Sequence, residues 1–293
     1  MNLENFYEKN YKKLMLISYA ILLISIVLAV VHVVKTGDPF NRDISLKGGV
    51  SATVYKENLN FDDVNNFLKQ NVNDYNIRRL TDPNTGEQTG LIIEVADINE
   101  LQLKNLLAKE IKINYDNKAE YDANSTSQEF GRSFYQGLMI ALLFAFILMS
   151  IVVFISFRTF IPSIAVISAA LTDILAALAV INILGIKLSA AGVVAFLLVI
   201  GYSIDTDILL TTRLLKRREE GPIYERLKHS ITTGLTMTIA AIAALTTGYF
   251  ITISEQLRQM FLVIIIALFF DIIATYFGNA GILIWYCKKH NIT

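Results

Sequence analysis

The amino-acid sequence predicts an α-helical polytopic membrane protein, with six transmembrane helices and one α+β, ferredoxin-like external domain. Three observations lead there. The 293 residues are 54% hydrophobic, with a mean hydropathy of +0.48 and formal net charge +0, a composition foreign to soluble domains of this size. The apolar residues gather into six runs, each long enough for a bilayer core that takes about 20 residues of helix. A single polar stretch, residues 35–134, interrupts those runs and is long enough for one compact domain.

Residues 1–13 are a polar tail holding Lys9, Lys12 and Lys13, and 14–34 are the first span, free of charged residues. That apolar run is longer than the h-region of a cleaved signal peptide. Its exit, HVVKTGDPF, lacks a small-x-small cleavage site, so the run is expected to stay as an anchor. Spans two to six cover 135–157, 160–184, 187–212, 231–253 and 259–287. Arg158 separates spans two and three. The loop 213–230 carries Arg213, Lys216, Arg217, Arg218, Arg226 and Lys228, and the tail 288–293 adds Lys288 and Lys289. With six crossings these basic segments share one side, whereas the short loops opposite hold only Lys187 and Arg258. Lys and Arg concentrate on the cytoplasmic side. Both termini are therefore expected in the cytoplasm and residues 35–134 outside, in a multi-pass protein of the cell membrane. The neutral balance points to no nucleic-acid partner, and the lone Cys287 excludes an intrachain disulfide.

Within the external stretch, GGVSATVY (48–55) alternates small or apolar with β-branched residues and reads as a strand. Asn60 is placed to cap a helix, FDDVNNFLKQNV. YNIRRLT and TGLIIEVA flank the turn residues of DPNTGEQ, so 75–96 reads as a hairpin. Asp97 or Asn99 caps a second amphipathic helix with Leu101, Leu103, Leu106, Leu107 and Ile111 as apolar members, and NKAEYDA supplies a last strand. The order β-α-β-β-α-β is that of a split βαβ unit. The domain has no His, no Cys and only scattered carboxylates, so a binding or docking element is expected, with a rigid cap as the plainer account. Asn124-Ser125-Thr126 is a glycosylation sequon on the outside; a second, Asn291-Ile292-Thr293, falls on the cytoplasmic side.

The chemistry lies in the spans. Asp173, Asp205, Asp207 and Asp271 sit inside otherwise apolar segments. An ionisable residue at the centre of a span costs at least about 2.5 kcal/mol and marks a functional site by default. Helical rise places Asp173 about 20 Å into span three and Asp271 comparably deep in span six, with Asp205 and Asp207 nearer the cytoplasm. A carboxylate whose access to water alternates can take up and release protons, so all four are candidates for a proton or ion relay. A structural polar contact between helices is the plainer account of Asp173 and Asp271. The stripes Ala165, Ala169, Asp173, Ala177 and Ala240, Ala244, Gly248 favour close helix packing. Thr232, Thr233, Thr236, Thr238, Thr246 and Thr247 can bond within span five or reach a carboxylate. Gly201-Tyr202-Ser203 ahead of Asp205-Thr206-Asp207 is expected to weaken and bend span four. Arg213 lies about 12 Å beyond Asp205 along the helix, too far for a direct pair, and a topogenic cation at the membrane edge is its plainer account.

GYSIDTDILLTTR (201–213) carries a family resemblance. It resembles the fourth-span motif of the SecD/SecF family, in which Gly-Tyr-Ser is followed by a polar cluster and then Arg. The architecture is similar as well: one span, an external domain opening at Leu46-Lys47-Gly48-Gly49-Val50, then five spans, with Gly131 and Phe157-Arg158 in the same pattern. The single small external domain resembles the SecF side of the family. The Asp-Thr-Asp order and Asn279-Ala280-Gly281 resemble its archaeal branch. The resemblance covers essentially the whole chain. It implies an auxiliary subunit of Sec protein export, paired with a SecD-like subunit in an RND-superfamily unit beside a SecYEG-type channel. It also implies unfolded secretory proteins as clients and use of the proton motive force. By the same resemblance Asp205 matches the SecD-type aspartate, Arg213 the motif arginine, and Gly201 to Ser203 the SecF signature. Bacterial SecF has Asn then Asp where this chain has Asp205 then Thr206, so the detailed proton route does not carry over.

Two other readings compete. Half of an RND-type small-molecule or lipid exporter would need a ligand pocket in the external domain, whose aromatic residues are scattered. An intramembrane aspartyl protease needs two close carboxylates on different spans in Tyr-Asp and Gly-x-Gly-Asp contexts, which Asp173 and Asp205 lack. No Gly-x-x-x-x-Gly-Lys loop is present, and His32, His229 and His290 are too dispersed for a metal site. No enzymatic activity, cofactor or metal is expected.

Overall fold

The computed structural model describes residues 3–292 except 58, 83, 84, 86 and 97. In chain order, α1 (Leu3–Thr36) is followed by α2 (Ile44–Lys47), β1 (Gly49–Val54), α3 (Phe61–Asn71), β2 (Tyr75–Thr81), β3 (Gln88–Ala96), α4 (Glu100–Leu107) and β4 (Tyr121–Thr126). Then come α5 (Gln128–Phe157), α6 (Phe160–Ile183), α7 (Ala190–Leu215), α8 (Ile223–Ile251), α9 (Glu255–Ile273), a π-helical segment (Ala274–Asn279) and α10 (Ala280–Lys289). Two compact units result, Arg42–Met139 and Met1–Asn41 with Ile140–Thr293.

The smaller unit is a four-stranded antiparallel sheet in the order β2-β3-β1-β4. This is the expected split βαβ arrangement. Successive side chains on a strand point to opposite faces. Val50, Ala52 and Val54 of β1 therefore join Leu91, Ile93 and Val95 of β3 on one face, beneath Val64, Leu68, Leu103 and Leu107 of the two helices. Burial of each such side chain is worth about 1.5–3 kcal/mol. Both helices start at a cap. The side chain of Asn60 accepts from Asp62 N at 3.0 Å, and Asn99 and Gln102 form a reciprocal capping box at 2.9 Å. Asp97, the other expected cap, and Pro83, Asn84 and Gly86 of the hairpin turn lie outside the described residues. The last strand starts later than NKAEYDA suggested. Asn117 forms a turn there instead, its side chain accepting from Ala119 N at 3.1 Å and its carbonyl from Glu120 N at 2.9 Å. The Gly48-Gly49 pair also has a physical reason. Gly48 has φ +85°, and a Cβ on it would stand 2.5 Å from Gln128 Cα; one on Gly131 would stand 2.6 Å from Gly48 N. The first turn of α5 and the start of β1 touch backbone to backbone.

Among the described residues six helices are long and apolar enough to cross a membrane, the sixth built from α9, the π segment and α10. All lie in the larger unit except the first part of α5, up to Met139. The centre of that unit is α6, whose stripe Ala165, Ala169, Asp173, Ala177 is wholly buried. On α8 the expected stripe is turned differently: Ala240 and Ala244 are exposed, and Gly234 and Thr238 are buried. Span four is one continuous helix across the glycine expected to weaken it. It runs unbroken through Gly201 from Ala190 to Leu215, because a glycine costs a helix only about 1 kcal/mol and packing outweighs that. The irregular turn falls in span six, at Ala274–Asn279.

Candidate functional site: a buried aspartate cluster

Three of the four span aspartates meet. Asp173 on α6, Asp207 on α7 and Asp271 on α9 are 0%, 0% and 1% exposed, and α7 supplies the side chains between them. Ser203 Oγ lies 2.5 Å from Asp173 Oδ2 and 2.7 Å from Asp271 Oδ1. Thr206 Oγ1 donates to the Ser203 carbonyl at 2.8 Å and stands 3.4 Å from both oxygens of Asp271. From the π segment, Thr275 Oγ1 lies 2.9 Å from Asp207 Oδ1 and 3.2 Å from Asp271 Oδ1, and Asn279 Nδ2 donates to Asp207 Oδ1 at 2.8 Å. The π turn positions these groups. Such π turns are frequent at functional sites.

Hydrogen counting says what this arrangement can do. A serine hydroxyl has one proton, and an ionised carboxylate only accepts. Ser203 Oγ nevertheless makes two short contacts, each to a carboxyl oxygen. With its single proton it can donate to only one of the two at a time. Ser203 therefore bridges a carboxyl on α6 and a carboxyl on α9 through one hydroxyl. No Lys, Arg or His side chain among the described residues bonds to the three carboxyls.

The remaining candidates lie apart from the cluster. Asp205 is exposed on the opposite side of α7, and Gly201 on the same exposed side has open space where a Cβ would be. The Tyr202 hydroxyl donates to the Met237 carbonyl at 2.9 Å. Arg213 Nη1 donates to Thr233 Oγ1 at 3.1 Å, near the end of α7. Among the span-five threonines, Thr232, Thr233, Thr236 and Thr247 bond carbonyls of their own helix. Asn124 is exposed on the edge strand β4. Thr275 and Asn279 were missing from the sequence-based set of site residues. Their signal was present in the spacing, since Asp271, Thr275 and Asn279 recur every four residues within an apolar span.

Comparison with known proteins gives a consistent result. The family model for protein export membrane protein SecD/SecF, C-terminal, matches residues 107–289. A protein-export membrane protein SecF of Methanothermobacter thermautotrophicus is 36% identical over 286 residues, covering 96% of this chain and 94% of the relative. That of Methanolacinia petrolearia is 34% identical over 282 residues, covering 95% and 94%. Among solved structures, the translocon-associated membrane protein SecDF of Thermus thermophilus superposes with a TM-score of 0.70 at 19% identity, over 95% of this chain. The chain spans 38% of that longer SecDF chain.

Proposed function

This chain belongs to the SecD/SecF family of protein-export membrane proteins, and from that premise we propose that it is an auxiliary subunit of the Sec translocation machinery. It acts with a SecD-like subunit beside a SecYEG-type channel to promote export of unfolded secretory proteins. Its relatives named for protein export match it nearly end to end. The observation that carries the mechanism is the buried cluster of Asp173, Asp207 and Asp271 around Ser203. A carboxyl proton shared between two helices couples proton uptake and release to helix packing, which is what an export subunit driven by an ion gradient requires.

Asp205 supports the partner. It lies exposed on α7, inside a span. A carboxylate facing hydrocarbon costs about 2.5–3.5 kcal/mol on insertion scales. This face of α7 is therefore covered by protein or lined by water in the assembled complex, and a SecD-like subunit fits that place. Both termini and the 213–230 loop are assigned to the cytoplasm and residues 35–134 to the outside, on the distribution of Lys and Arg. Asn124, exposed in its sequon, is open to glycosylation there.

A pair of carboxyls on separate helices is also the requirement of an intramembrane aspartyl protease, and Asp173 and Asp271 form such a pair. The likeness to export proteins favours a non-enzymatic role, and mass spectrometry of membrane peptides after Asp271→Asn would show accumulating substrates if proteolysis were the function. Copurification from native membranes tests the main reading. A SecD-like subunit and channel components should accompany the wild type and drop away in Asp205→Asn. If they never accompany the protein, the export reading fails.

A further inference from the structure

The buried face of the bundle holds polar atoms, beyond the aspartate cluster, that no protein group satisfies. Among the described residues, Asp207 Oδ2, Asn279 Oδ1, Thr211 Oγ1, Ser230 Oγ, and Nε and Nη2 of Arg226 are buried without a hydrogen-bond partner. Several other span hydroxyls bond their own helix, although Thr238 Oγ1 on α8 is likewise buried without a partner among the described residues. Thr172, Thr232, Thr233, Thr236 and Thr247 each donate to the carbonyl four residues back, at 2.7 to 2.9 Å. Thr211 and Ser230 are turned away from that bond and into the bundle.

Several of these groups follow one another along α7 and α8. Thr211 stands one turn beyond Asp207 on α7. Leu214 is the next step, and its carbonyl accepts from Arg226 Nη1 at 2.6 Å. From Asp207 to Leu214 is about 10 Å of helix. On α8, Arg226 and Ser230 are one turn apart and both buried. The guanidinium of Arg226 is 0% exposed and meets no carboxylate among the described residues. A buried charge without a counter-charge or full hydrogen bonding is strongly unfavourable. Buried polar atoms at this density are ordinarily satisfied by internal water, each molecule making two to four hydrogen bonds.

We propose that a file of ordered water runs from Asp207 and Asn279, past Thr211 and Ser230, to Arg226, and that Arg226 is the counter-charge of the aspartate cluster. A water beside Thr211 accepts its hydroxyl proton and donates to Asp207 Oδ2 or Asn279 Oδ1. A water beside Arg226 accepts from Nε or Nη2 and donates to Ser230 Oγ. The file links the cluster to the end of the bundle that carries both termini. This deepens the proton-relay reading and rests on it for its purpose, but its existence is tested separately from export.

Radiolytic hydroxyl-radical footprinting of the full chain in liposomes, with its SecD-like partner, reads such water directly, because radicals formed from bound water modify the side chains beside it. Leu210 and Leu214 pack in an apolar cluster with Leu227 and Ile231 beside the proposed file, and Leu68 and Leu91 lie in the apolar sheet core; all four are 0% exposed. Leu210 and Leu214 should label several-fold faster than Leu68 and Leu91, and the double variant Thr211→Val, Ser230→Ala should remove the excess. Equal labelling of all four in the unaltered chain, or an excess indifferent to the double variant, overturns the file. Because both replacements are close in volume to the originals, a folded variant is expected, and unchanged labelling of exposed residues verifies it. For the counter-charge, Arg226→Lys should keep export of a secreted reporter and Arg226→Gln should lose it; the two behaving alike overturns that role. Loss of export in aspartate variants with labelling intact would bear on the relay alone.

Discussion

The sheet domain and the helical bundle distribute their polar groups on opposite plans. In the domain, Val50, Leu68, Leu91, Ile93 and Leu103 fill an apolar interior, and the buried Glu94 is paired with Arg78 at its margin. In the bundle the outside is apolar and the centre holds three carboxyls and four hydroxyl or amide partners, with a buried arginine nearer one end. The difference follows from the solvent each faces. Water drives apolar groups inward and so stabilises the domain. Lipid offers no such drive, so helix association rests on close packing and interhelical hydrogen bonds. A polar centre in the bundle is then both an adhesive and a reaction site, whereas in the domain it would be a defect.

That contrast can be broken by substitution. The largest stability loss is expected in the domain: Leu91→Ala should destabilise it by about 2–5 kcal/mol through lost burial and a cavity, read by hydrogen exchange of the β1 and β3 amides. Gly131→Ala should cost less, about 1–3 kcal/mol, by forcing the backbone contact at Gly48 apart, and shows in the same exchange measurement. In the bundle the ranking reverses between stability and function. Asp271→Asn keeps most of the hydrogen bonds and should shift thermal stability by under about 1.5 kcal/mol, yet halt export of a secreted reporter. Unchanged export in Asp173→Asn, Asp207→Asn and Asp271→Asn alike would make the cluster purely structural.

A smaller effect is expected from alkali, and only in the domain. Burial pushes the phenols of Tyr115 and Tyr121 up to about 12 from the ordinary 10.0. The folded domain therefore keeps protons that the unfolded chain has begun to lose. Its stability is intact below about pH 10 and declines as pH rises toward about 12. Tyr115→Phe should blunt that decline in a pH series of domain exchange rates. The smallest effect belongs to Lys104→Gln, which breaks an ion pair with an Asp116 side chain that is 87% exposed, and should cost no more than about 0.5 kcal/mol.

The same contrast in solvent decided what could be read from sequence. Alternation of period 2 located β1 and β3, since a half-buried strand in water must alternate, and Asn60 and Asn99 announced their helices by cap chemistry. The start of β4 was misplaced because Asn117 closes a turn with its own side chain, a local preference that outweighs strand propensity. In the spans the lipid face and the core face are both apolar, so periodicity shows where a helix is and not which way it turns. Asp205 and Asp207 look equivalent in the sequence, though their side chains lie about 200° apart around the helix. Only the packed structure shows that Asp207 enters the cluster. Ala240 and Ala244 misled for the same reason.

The π segment has a consequence for mapping the sixth span. A turn of that kind holds about one residue more than the α-helix on either side of it, so the helical phase of α10 is offset from that of α9 by about 100°. No single helical wheel describes Glu255–Lys289. Faces assigned by counting forward from Asp271 would be misplaced by the time they reach Trp285 or Cys287. A scan of labels along this span has to be drawn as two wheels joined at Ala274–Asn279.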